Sequence, residues 1–111
     1  MDTLETYRQI IETALTEYAK IPYAYGDIQT ETIFDHKNDH YLPINMGWNK
    51  GSRIHGCLVH LDIINGKVWI QRDGTEEGIV VELGQKGIPK DHIVLGFRLP
   101  ETRKYTDYAV A

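Results

Sequence analysis

Apolar residues recur at helical spacing near the N-terminus and at alternate positions through the middle of the chain. Leu4, Tyr7, Ile11, Ala14, Leu15 and Tyr18 form one stripe, the pattern of an amphipathic helix lying on a sheet. Asp2 is placed to cap this helix, with Glu5 reaching back in a capping box. Ile21-Pro22 ends it near Lys20, because the residue before a proline avoids helical geometry. Ile28 to Phe34 alternate around Thr30 and Thr32 and predict a strand. A polar turn, Asp35-His36-Lys37-Asn38-Asp39, leads into a second strand. There Leu42, Ile44, Met46 and Trp48 share one face, expected to meet the core. Pro43 inside it marks an edge strand or a bulge, since proline cannot donate to a ladder.

The stretch from Ser52 to Gly87 organises the rest. Asn65-Gly66 is the strongest short hairpin signal, because a type I′ turn needs φ > 0 at both central residues. With those two as the loop, Ile63 faces Val68, Leu61 faces Ile70 and Val59 faces Arg72. Cys57, Val59, Leu61 and Ile63 then share a core face with Val68 and Ile70. Leu58, His60, Asp62 and Ile64 fall on the other face with Trp69 and Gln71. A four-residue loop, Asn49-Lys50-Gly51-Ser52, pairs Ile44 with Cys57 and Leu42 with Val59; a slip of one residue would turn that face outward.

Thr75 is a good N-cap for a second helix, with Glu76 and Glu77 at its positive end. Ile79, Val80 and Leu83 supply its apolar stripe, and Gly87 fits a left-handed position just past its end. Ile93 to Phe97 is an apolar run expected to be buried. Pro100 to Ala111 reads as a polar surface tail. The expected fold is α+β, one domain over residues 1–111: an N-terminal helix on a four-stranded antiparallel meander, then a second helix and the tail.

Composition narrows the function classes. The chain has 111 residues, a formal charge of −4 and one cysteine. That excludes an internal disulfide and a zinc site built on cysteines alone. No apolar run suits a membrane span and no leader pattern opens the chain, which points to the cytoplasm. Backbone contacts to nucleic acid depend on Lys and Arg, so an acidic small domain makes a poor stand-alone DNA binder.

Candidate chemistry is sparse. Cys57, His60 and Asp62 lie close in sequence, but strand alternation sends Cys57 to one face and the other two to the opposite one. His36, His40, His55, His60 and Asp62 are ligand types. His60 and Asp62 share a face, yet no third ligand is fixed, so no metal and no cofactor is expected. The plainer reading pairs His60 with Gln71 across the hairpin. Gly74 and Thr75 lack a full phosphate-binding fingerprint. Arg98, Arg103 and Lys104, interleaved with Tyr105 and Tyr108, form a basic-aromatic cluster of the kind found at interfaces. Trp69, Leu58 and Ile64 put an apolar patch on the outer hairpin face. Trp69 is expected to meet either Tyr105 and Tyr108 or a second copy of the chain.

Several segments together resemble the XisI family, the fdxN-element excision controlling factors. They are Tyr25-Gly26-Asp27, Asp39-His40-Tyr41 leading to Gly47-Trp48, Val59-His60-Leu61-Asp62-Ile63, and Gly66 through Gln71. Asp73-Gly74-Thr75-Glu76, Gly87-Ile88-Pro89-Lys90, Ile93 through Phe97 and the tail from Tyr105 to Ala111 extend the match along nearly the whole chain. The resemblance implies a small α+β protein associated with programmed excision of a DNA element by a separate recombinase. It also implies a partner, XisH, whose fold resembles endonucleases, and DNA met only indirectly through the recombination complex. The family carries no agreed catalytic residues, so a non-enzymatic accessory role is expected. The alternatives are an antitoxin-like neutraliser of a nuclease partner, and a small enzyme or ligand-binding domain using His60 and Asp62.

Overall fold

The alternating segments form one six-stranded mixed sheet in a computed structural model that describes residues 3–22, 26–75 and 77–111. In chain order the elements are α1 (Thr3–Ala19), β1 (Asp27–Asp35), β2 (His40–Asn49), β3 (Ser52–Gly56), β4 (Val59–Ile64) and β5 (Lys67–Asp73). There follow α2 (Ile79–Gln85), a 3-10 turn (Lys90–His92), β6 (Ile93–Leu95) and α3 (Pro100–Arg103). The strand order is β1-β2-β4-β5-β6, with β3 paired to β2 beyond the end of β4. The Asp2 cap, Tyr25 and Glu76 lie outside the described residues.

Tyr7, Ile11, Ala14 and Leu15 are the buried positions of α1, as its stripe requires. They pack with Leu61, Ile63, Val68 and Ile70 on one face of the sheet, joined by Ile79, Leu83 and Ile88 from α2 and the loop after it. A polar clamp fixes α1 over the β1–β2 turn. Arg8 donates from Nε and Nη2 to the two Asp39 oxygens, and the Tyr41 hydroxyl donates to Oδ1. The Arg8 guanidinium holds the Asp39 carboxyl below its usual range, and burial beside that carboxylate pushes the Tyr41 phenol up.

The Asn65-Gly66 turn forms as expected, with φ of 51° and 80°. Leu61 pairs with Ile70 and Ile63 with Val68. A register shift between His60 and Leu61 then sets Val59 opposite Asp73 rather than Arg72.

The expected meander differs in three ways. First, the long third strand breaks at Cys57-Leu58 into β3 and β4. The β2–β3 register matches the expectation, tightened to a two-residue loop at Lys50-Gly51. Beyond the break, His40 pairs with Asp62 and Tyr41 with Leu61, one residue out of step. Tyr41, Pro43 and Asn45 are therefore the buried residues of β2. Leu42, Ile44, Met46 and Trp48, expected inside, lie on the outer face. Cys57, also expected in the core, is half-buried in the break.

Second, Ile93, Val94 and Leu95 add β6 parallel to β5, with α2 in the crossover. The run stops there, and Phe97 is exposed. Third, α2 starts later than Thr75 implies. Asp73 accepts from the Ile79 amide at 2.7 Å, and Thr75 Oγ1 accepts from the Gly78 amide. These side chains hold the approach to the helix, and Gly78 occupies its N-cap. Gly87 takes the left-handed position past the end, with φ of 116°.

Candidate functional site

Helices α1 and α2 share one side of the sheet, so among the described residues the other side is covered where the C-terminal tail crosses it. Val94, paired with Trp69, is buried there, and Ala109 bridges to Val94. Arg103 drives this packing. Its guanidinium carbon stands 5.0 Å from the Trp69 ring centroid. Its nitrogens donate to the carbonyls of Leu95, Gly96, Arg98 and Val110. Trp69 is thus half-buried by its own chain. The group over it is Arg103, not Tyr105, which is 80% exposed, or Tyr108, which packs against the core cluster.

Among the described residues, the rest of the outer face is open. Antiparallel pairing aligns Ile33 with Leu42, Glu31 with Ile44, Gln29 with Met46 and Asp27 with Trp48. Trp48 is 53% exposed and Ile33 48%, and Arg53 stacks on the Trp48 ring. Leu42, Ile44 and Met46 are half-buried between them. A polar row from β1 and an apolar row from β2 therefore lie side by side.

At the other end of β2 the face carries its densest chemistry. His40 Nδ1 and His60 Nε2 both donate to Oδ1 of Asp62, each at 2.8 Å. Gln71 Nε2 donates to Oδ2 of the same carboxylate at 3.2 Å. An ionised carboxylate only accepts, so both imidazoles turn a protonated nitrogen toward it. Asp62 is 5% exposed, whereas His40 reaches solvent. The hydrogen bond and charge of Asp62 hold the His40 pKa above its ordinary value.

The expected site residues divide. His60 and Asp62 come together, but through each other rather than through Gln71 as His60's partner. His40 joins them because the register shift at Cys57-Leu58 sets it opposite Asp62. Residue type alone marks His40 as a ligand type, and strand alternation does not show that it faces Asp62. His36 instead pairs with Glu12 at 3.0 Å. Leu58 turns away from Trp69, toward a groove it lines with Thr30 and Ile79. Ile64 stays on the outer face, exposed. Lys104 is exposed, stacked on Tyr105. Two grooves, of about 1000 and 590 Å³, lie elsewhere and include none of His40, His60 and Asp62. Among the described residues, no helix is long and apolar enough to cross a membrane.

Comparison with known families fits this architecture. The family described as XisI protein matches residues 1–110. The chain belongs to the XisI family. Two solved XisI structures from Anabaena variabilis ATCC 29413 share the whole fold. One, an XisI-like protein, is 38% identical with a TM-score of 0.91, over 98% of this chain and 100% of its own. The other, the fdxN element excision controlling factor XisI, is 34% identical with a TM-score of 0.83, over 99% of this chain and 100% of its own. No curated protein matches. The second of these relatives carries the name of a controlling factor, and the α+β class expected from sequence is the one found.

Proposed function

We propose that this XisI chain is a non-catalytic controlling factor, a single domain of residues 1–111 acting in the cytoplasm. It docks through its open sheet face onto an XisH-like partner with an endonuclease-like fold, and so influences excision of a DNA element by a separate recombinase. The observation that carries this reading is the apolar row Leu42, Ile44, Met46 and Trp48, which no other element among the described residues covers, beside the half-exposed Ile33. Tryptophan and methionine are favoured at interface centres, and arginine such as Arg53 beside them is a frequent anchor. The formal charge of −4 supports contact with DNA through the partner rather than directly. Co-expression with the XisH-like protein, followed by size-exclusion chromatography at micromolar concentration, tests it. Co-elution is expected; separate elution would remove the basis for the reading.

A further inference from the structure

We propose that His40, His60 and Asp62 form a binding site for a divalent first-row transition-metal ion of the zinc class. The ligand atoms, one from each side chain, lie within 4.8 Å of one another. Both imidazole nitrogens already stand 2.8 Å from the same carboxylate oxygen. Two ligands bound ~2.0–2.1 Å from one ion stand ~2.9 Å apart at a right angle and ~3.4 Å apart at the tetrahedral angle. A metal replacing the two N–H protons therefore opens each oxygen–nitrogen separation by a few tenths of an ångström and draws the widest ligand pair, within 4.8 Å, toward ~3.4 Å. Rotation of the half-exposed His40 ring supplies the movement.

Rigid elements hold the donors. His40 and Asp62 are direct partners across the β2–β4 ladder, and His60 lies two residues along the same strand. The carboxylate has outer support, as metal-binding carboxylates do: Gln71 donates to the oxygen that the imidazoles leave free. Gln71 is itself held close, because a Cβ at Gly96 would stand 2.8 Å from its Oε1. Among the described residues, no lysine or arginine pairs with Asp62, although it is nearly buried. A buried carboxylate calls for a counter-charge; without a metal the two imidazoles facing it supply that when protonated, and a divalent cation held by their neutral forms takes their place. Two imidazoles and one carboxylate select zinc-like, cobalt or nickel ions over the magnesium and calcium that prefer all-oxygen sites. The solvent-facing side of His40 leaves the remaining positions to water.

The site goes beyond the docking reading and is tested apart from it, on the untagged protein alone. Titration with Zn²⁺ by calorimetry, and with Co²⁺ by visible absorption, should give one site per chain with affinity at micromolar or tighter. Mg²⁺ and Ca²⁺ should not compete. His40→Ala and His60→Ala should each abolish the Co²⁺ spectrum. Gln71→Ala should weaken Zn²⁺ by ~10-fold while keeping the ligands. His36→Ala and His55→Ala should bind as the parent does. Circular dichroism of His40→Ala, a change at an exposed side chain, checks that the fold persists. Absence of Zn²⁺ and Co²⁺ binding, or binding that survives His40→Ala, would overturn the proposal.

Discussion

Replacing Arg103 with alanine should detach the C-terminal tail from the sheet. The guanidinium donates to four backbone carbonyls at 3.2 to 3.4 Å and covers the Trp69 ring. Hydrogen bonds from charged donors contribute ~1.5–3 kcal/mol each, but these are long and two share Nε. Their net is therefore nearer one or two good bonds than four. A desolvated cation over an aromatic face adds ~1–2 kcal/mol. The expected loss is ~2–4 kcal/mol, which for a domain of this size lowers Tm by ~10–15 °C. Urea unfolding followed by circular dichroism measures it. Lys104→Ala, at an exposed position one residue on, should change stability by under ~0.5 kcal/mol. In a Trp48→Phe background, acrylamide should quench Trp69 more strongly once Arg103 is gone. If Arg103→Ala costs no more than Lys104→Ala and quenching is unchanged, Arg103 does not hold the tail.

Leu61→Ala empties a fully buried site under α1 and should cost ~2–5 kcal/mol in urea melts; under ~1 kcal/mol would place Leu61 on the wrong face. Gly47→Ala should separate β1 from β2, because its Cβ would fall 1.9 Å from the Asp27 carbonyl oxygen; a retained β spectrum and Tm would refute that contact. Glu82 gives a pH test. Burial, then Glu17 close by, raises its folded pKa, with Lys86 opposing. A carboxyl whose pKa rises on folding destabilises the protein when ionised and costs nothing once protonated in both states. Glu82→Gln should therefore raise Tm at pH 7, with the gain fading by about pH 4; a gain that grows on acidification would reverse the sign.

Much of this fold is legible in the sequence because it rests on local rules. The α1 stripe, the Asn65-Gly66 turn and the pairing of Leu61 with Ile70 all follow from periodicity and turn chemistry. The faces of β2 do not. Alternation marks Leu42, Ile44, Met46 and Trp48 as a set, but not which way the set points. The one-residue shift at Cys57-Leu58 decides that, and no residue there announces it. The same shift sets His40 beside Asp62, so the facing of β2 and the assembly of this cluster have one cause. The parallel strand β6 was hidden because a three-residue apolar run carries no period. Arg103 reads as a surface cation in sequence, since nothing in the chain tells that four carbonyls will converge on it.

The most direct test of the docking account is the affinity of the purified XisH-like partner for two surface variants. The double variant Ile33→Glu, Trp48→Ser alters the open sheet face at half-exposed positions, so the fold should persist. Gln9→Glu alters the exposed side of α1. Calorimetry should show the partner binding the double variant at least ~10-fold more weakly, a loss of ~1.4 kcal/mol or more, while Gln9→Glu binds as the parent does. Undiminished binding by the double variant, or a loss confined to Gln9→Glu, would contradict docking through the open face.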